Sequence, residues 1–463
     1  MTDYLYRFRS LRSLIDYEEL AKTYIFFPSP EKLNDPLEGF REVVWSGDKV
    51  VWQNLFKHYF LSLVKRSVAY LLKEDLNDAN FPIHASLDDV QGESLPAIKE
   101  ALAIYLNNSN IVEHIQVLAD QQRPVVEEEL RFHLRGVHTY TLKLVTQLMI
   151  DLEMLVGAQN ISRVSDEEAL KVSSLILSYM RQPALRGGTV NLALRTGLAR
   201  IESELLIMNY QEWKLEKQRN WSRLSTLFAD DYVKNVKRLC SEDWFVACFM
   251  GSPYNSSIWG TYGENHSAVC LKFKFPTRNG IPVLPLEDER RRTKFQLDIE
   301  KVNYNSRPPK LPFFTSIGCY NERKLTEDWF TGLDGEVSTL AVEILGNHDE
   351  WRKKYWEDHK LSITTKLQAW AGEDEFRASL YSMFEVYEND DSRKLRYDFN
   401  DLDGIIFGIK TTEENKFKLI EIVNKLCDET GREGFTFYQA YHDVDKSSIA
   451  YRPILTVSAS VKE

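Results

Sequence analysis

The chain has 463 residues, 43% hydrophobic and 12% aromatic, so it can build more than one packed core and is not a predominantly disordered polymer. Its 69 acidic against 58 basic residues give a formal charge of −11, which removes any global attraction to nucleic-acid phosphates. Five irregularly spaced cysteines (Cys240, Cys248, Cys270, Cys319, Cys427) form neither a disulfide framework nor a zinc motif, and no apolar run approaches the roughly eighteen residues of a membrane span. The expectation is a cytoplasmic protein with no membrane partner.

In chain order, Tyr4–Arg9 predicts a strand, Leu11–Lys22 a helix and Tyr24–Phe27 a second strand, closed by Pro28, Pro30 and the turn Asn34-Asp35-Pro36. From Val50 to Lys237 apolar residues recur at helical spacing. Trp52, Leu55, Phe56, Tyr59, Phe60 and Leu63 begin the pattern, and Leu142–Val156, Ala169–Met180 and Leu192–Tyr210 continue it. Strands return at Trp244–Met250 and Ala268–Phe275, followed by a proline-punctuated stretch over Ile281–Pro312. Val337–Leu367 reads as helix broken near Gly346-Asn347. Further strands fall at Arg377–Val386, Gly404–Ile409 and Ile449–Val457, with a helix at Glu413–Cys427. The fold class is α+β: a split mixed-sheet domain carrying a large all-helical insertion, with 1–48 and 239–463 as its two parts and 49–238 as the insertion.

Four segments carry candidate chemistry. On the first strand Arg7 and Arg9 share one face and Tyr6 and Phe8 the other, and paired guanidinium groups suit a phosphate or carboxylate as well as structural partners such as Asp35 or Glu38. Asn34 and Asp35 fit a turn, and Glu38 follows closely enough to reach the face of Arg7. Trp259, Tyr262 and His266 stand at steps of three and four, a stripe if helical, with Gly260 and Gly263 permitting close approach. In an extended segment Glu373, Glu375 and Arg377 share a face near Lys366 and Trp370, and paired carboxylates need a compensating charge or a purpose. His133 and His138 are badly spaced for a shared metal, so no metal is expected; the basic run DERRRTK at Asp288–Lys294 reads as a solvated loop, leaving nucleic acid weakly supported. No dinucleotide, P-loop or hydrolase-elbow motif is present.

Taken together, Tyr6-Arg7, Phe27-Pro28-Ser29-Pro30 with Asn34-Asp35-Pro36, Cys248-Phe249, Trp259 through His266, Lys366 through Arg377 and Gly404–Val423 resemble the mainly prokaryotic family called domain of unknown function 2971. The resemblance covers about 1–45 and 240–455, departs at Gly260-Thr261, Gly263 and Ser267-Ala268, and leaves the insertion unexplained. The order arginine, aromatic platform, Glu-x-Glu is also similar to the layout of ADP-ribosyltransferases. That similarity implies NAD as substrate, cleaved through an oxocarbenium-like transition state. On it Glu375 is the catalytic carboxylate, Glu373 and His266 assist, Arg7 anchors the phosphates, and Trp259 and Tyr262 form the aromatic platform. Tyr6, Arg9, Asn34, Asp35, Glu38, Lys366, Trp370 and Arg377 complete the ligand-binding set. The implied setting is a bacterial toxin or defence effector with an unknown acceptor. The alternative is a noncatalytic nucleotide sensor whose helical insertion binds a partner protein.

Overall fold

The computed structural model describes residues 4–35, 41–90, 92–121, 123–155, 164–181, 203, 207, 210, 219–240, 243–304, 310–382 and 386–459. The protein is a mixed α+β chain whose multi-strand sheet is interrupted by a block of helices, and it divides into two compact units. One comprises 1–41, 242–309 and 359–463; the other comprises 42–241 and 310–358.

The α+β unit is built on a 12-stranded sheet. Its spatial order is Ser448–Val457, Phe435–Asp443, Leu402–Phe407, Val269–Phe273, Leu5–Arg9, Trp244–Met250, Glu375–Tyr381, Thr293–Lys301, Ile281–Asp288, Lys394–Arg396 and Tyr24–Phe26, with Thr277–Arg278 paired to Ile281–Asp288. The chain's first strand is therefore central, bonded to Val269–Phe273 on one side and meeting Trp244–Met250 at Tyr6↔Met250 on the other. Pairing is antiparallel apart from Leu402–Phe407 beside Phe435–Asp443.

Strict alternation gives the sheet two different faces. Leu5, Phe245, Phe249, Leu271, Phe273 and Ile405 pack on one side with Leu419, Val423 and Leu426 of the helix Glu413–Thr430. That helix begins on a Thr412 side-chain cap and ends at Gly431, whose φ of 68° is the left-handed stop that glycine accepts without strain. Tyr6, Phe8, Met250, Cys270 and Ile406 face the other way, against Ile258 and Trp259.

The helical unit packs Lys49–Leu71, Ser94–Asn107, Ser109–Ala119, Glu127–Asp151 and Phe228–Val236 around one apolar core, and Lys171–Met180 lies against Ser109–Ala119 and Glu127–Asp151. Val51, Leu55, Phe56, Tyr59, Phe60 and Leu63 supply the inner side of the first of these. Asp48 caps it through the Val50 and Val51 amides and also accepts from Ser338 Oγ (2.9 Å) and the Thr339 amide (2.7 Å), so one carboxylate starts two helices.

Three expectations differ from the structure. The helix after the first strand ends at Leu14 instead of Lys22, because Glu18 turns left-handed (φ 57°) and brings Glu19 back to bind Arg9. The proline-punctuated stretch holds a hairpin, Ile281–Asp288 with Thr293–Lys301, and the basic run occupies its exposed turn. Residues 310–358 belong to the helical unit. Phe313, Phe314, Trp329 and Phe330 lie in the helical core, and Lys310–Pro312 pairs in parallel with Glu42–Val44. The expected helix over 192–210 falls almost wholly outside the described residues. No helix among the described residues is long and apolar enough to cross a membrane.

Candidate functional site

Lys366, Glu373, Glu375 and Arg377 meet in the α+β unit with Tyr262, at the start of the Glu375–Tyr381 strand. Two turns of 3-10 helix, Gln368–Glu373, precede that strand. Asp374 ends the turn in the left-handed region (φ 46°) and swings Glu375 into the sheet. Gly251 permits this geometry: its amide donates to the Asp374 carbonyl (2.8 Å), and a Cβ there would lie 2.1 Å from Asp374 Oδ2. Asn255 fastens the turn from the other side by donating to the Gly372 carbonyl (2.8 Å).

Lys366 Nζ donates to Glu373 Oε2 (2.6 Å) and Glu375 Oε2 (3.0 Å). Arg377 donates from Nε to Glu375 Oε1 (2.9 Å) and from Nη2 to Oε2 (3.1 Å), a bidentate clasp, while its Nη1 bonds the Ile363 carbonyl (2.7 Å). All four side chains are at most 7% exposed, so each charge depends on its neighbours for solvation. Burial pushes the Glu375 carboxyl up against the opposing pull of Lys366. Burial lowers Lys366, but Glu375, Tyr262 and Glu373 outweigh it and hold the ammonium above its ordinary range. Arg377 is brought down to about 10 by burial, against the charge of Asp35.

Above this buried layer stand two half-buried rings. Tyr262 donates its hydroxyl to Glu373 Oε1 (2.7 Å), and burial keeps that phenol protonated well past its usual range. The Lys366 ammonium lies 5.0 Å from the Trp370 ring centroid, a cation–π contact. The arrangement is a buried charged cluster bordered by two partly exposed rings, which offer a flat surface to a ligand.

The other expected site residues lie elsewhere. Tyr6 shares the face of Met250 and Glu375 but is spent on the Tyr451 hydroxyl (3.3 Å). Arg7 and Arg9 do share a face, and it is the opposite one, with Leu5 and Phe249. The buried Arg7 guanidinium donates to the carbonyls of Cys248 (3.2 Å) and Phe26 (3.1 Å), and burial lowers it to about 10; Arg9 pairs with Glu19. Asp35 is buried and acts on Arg377, not on Arg7, while Asn34 precedes it in a bend. Glu38 lies outside the described residues.

Trp259 and His266 are not on one helical stripe, since the helix Ser256–Thr261 stops there and Glu264, Asn265 and His266 are all left-handed (φ 49°, 54° and 71°). Their rings still lie parallel, with centroids 6.3 Å apart. Trp259 is fully buried, donates to the Pro253 carbonyl (2.7 Å) and meets Phe8 edge-on, which makes it core and not platform. Two contributors escaped the sequence reading. Cys248 sits opposite Arg377 in register and bonds Glu375 through its thiol, which burial holds protonated. Tyr304 accepts from the Glu375 amide (2.8 Å), and no local pattern marks it.

Among the described residues no group of three or more His, Cys, Asp or Glu side chains could hold a metal ion. Comparison with protein-family models, curated proteins and solved structures finds no match.

Proposed function

We propose that the α+β unit recognises a small ligand of the nucleotide class at the Tyr262–Trp370 rim and holds it without chemistry, with the helical unit available to a partner protein. The observation that carries this reading is the state of Glu375. It is buried and accepts two bonds from Arg377, one from Lys366 and one from the Cys248 thiol, which together occupy its acceptor sites, and Arg7 occupies the opposite face of the sheet. A ligand ring stacked on Trp370 and a polar edge near Tyr262 are what the rim offers.

A second reading, NAD glycohydrolysis or ADP-ribosyl transfer, is favoured by one contact set. Glu373 lies in the buried layer next to Tyr262, held by the Tyr262 hydroxyl and Lys366, and is the carboxylate that would oppose developing oxocarbenium charge. On that reading Glu373 replaces Glu375 as the catalytic group.

Calorimetric titration of NAD and AMP into the protein, with nicotinamide release followed in parallel and with lysate as acceptor source, tests both. The recognition reading expects binding that Trp370→Ala removes, with no release. Release abolished by Glu373→Gln would replace it with the second reading. Neither binding nor release would sink both.

A further inference from the structure

On the other side of the Glu375–Tyr381 strand the α+β unit contains a cavity of about 1300 Å³. Alternation separates it from the site above: Glu373 and Glu375 point into the charged cluster, whereas Asp374 and Phe376 line the cavity. Leu5, Phe275, Ile299 and Phe376 supply apolar wall. Such walls give water few partners, so an apolar body entering the cavity releases solvent favourably.

The charges at its mouth do not cancel. Lys301 pairs with Asp374 (2.7 Å) while its ammonium lies 5.4 Å from the Phe376 ring centroid, and Lys360 pairs with Glu300. Lys274 is exposed and makes no ion pair among the described residues. Two closed pairs and one open cation leave a single positive charge beside an apolar chamber, in a chain whose formal charge is −11.

We infer that this cavity binds an anionic amphiphile with a single charged head: an apolar body of acyl-chain dimensions with one carboxylate or phosphate head, the body against Leu5, Ile299 and Phe376 and the head at Lys274. Volume rules out recognition by the head alone, and the closed Lys301–Asp374 and Lys360–Glu300 pairs leave no place for a polyanion. The site is distinct from the Tyr262–Trp370 rim and does not depend on the function assigned there.

The test uses the full chain and a dansylated undecanoate as fluorescent probe, displaced by dodecanoate, dodecyl phosphate, dodecanol or AMP. Saturable probe binding displaced by the two amphiphilic anions, and not by AMP, is expected; whichever anion competes better identifies the head. Lys274→Glu, a change at an exposed side chain, should weaken the anions about fivefold and leave dodecanol unchanged. Leu361→Trp, at a partly exposed wall position, should weaken anions and dodecanol alike. Absence of saturable binding, displacement by AMP, or equal anion affinity in Lys274→Glu and the parent chain would overturn the inference.

Discussion

Removing one cation from the cluster beneath Tyr262 strands a carboxylate that has no water to turn to. Arg377→Leu leaves Glu375 with Lys366 and the Cys248 thiol alone, and breaking a buried pair from one side costs about 3–5 kcal/mol. Glu375→Leu in the same background removes the stranded charge as well, so the double variant should be more stable than Arg377→Leu. Urea unfolding of the four members of the cycle checks this, and a double variant no more stable than Arg377→Leu would mean that the clasp is not the stabilising contact. The residues of this cluster were legible as a group, because Lys366, Trp370, Glu373, Glu375 and Arg377 fall within one short window. Their partners were not. Tyr262 joins through a turn that ends the helical stripe, and Tyr304 arrives from a different strand. The alternation that put Arg7 and Arg9 on one face was readable, but which face they share depends on the Tyr6↔Met250 register, a long-range fact absent from the local pattern.

Within the helical unit, buried imidazoles tie helices together. The Ser173 hydroxyl donates to Asn110 (3.1 Å), so His114 Nε2–H donates to Ser173 Oγ (2.9 Å) and His114 Nδ1 accepts from His133 Nδ1–H (2.7 Å). That leaves His133 Nε2 buried with no partner to receive a second proton. His58 accepts from the Tyr232 hydroxyl and His138 from the Tyr59 hydroxyl, and each donates to a carbonyl. Burial drives His58 and His133 to about 3 and His138 to about 4, with His114 also far down and the Arg123 charge adding to the effect on His133. The sign follows directly: below about pH 6.5 the unfolded chain takes up protons that the folded helices refuse, so stability falls as pH drops from 6.5 toward 4. Each such histidine contributes a slope of about 1.4 kcal/mol per pH unit in that window. Thermal unfolding followed by far-ultraviolet ellipticity should show the loss, and His133→Gln should flatten it; an unchanged slope would remove this pair from the account. Helical periodicity made the helices legible from Trp52 onward, whereas histidine pairing across helices has no sequence spacing. The Phe435–Asp443 strand was missed because it directly follows a helix and a glycine-rich turn with no flanking alternation long enough to read.

At the scale of the whole chain, two separate apolar cores predict two cooperative unfolding steps. Calorimetry at neutral pH should resolve two endotherms, and acidification should lower the one associated with the helical unit more, since His58, His114, His133 and His138 all lie in it. A single endotherm at every pH would show that the cores melt as one. The two-part character of the chain was visible in the switch of period near Val50 and again near Trp244. Its second crossing was not, because Phe313 and Phe314 follow a proline into a turn and Trp329 and Phe330 close a helical segment, Glu322–Phe330, too short to show a period.

The position of the strand Leu5–Arg9 sets an order of events during synthesis. Tyr6 needs Met250, and Leu5–Arg9 needs Val269–Phe273, so the strand at the middle of the sheet emerges long before either neighbour exists. At about 5–20 residues per second the ribosome adds the intervening segment over tens of seconds. Through that interval the strand Leu5–Arg9 has unpaired amides and the rings of Tyr6 and Phe8 uncovered, while the part of the helical core carried by 42–241 can begin to collapse. Part of the helical core can therefore form before Leu5–Arg9 meets its neighbours, but that core is completed by Phe313, Phe314, Trp329 and Phe330 only after those neighbours have emerged, so the two units fold over overlapping intervals.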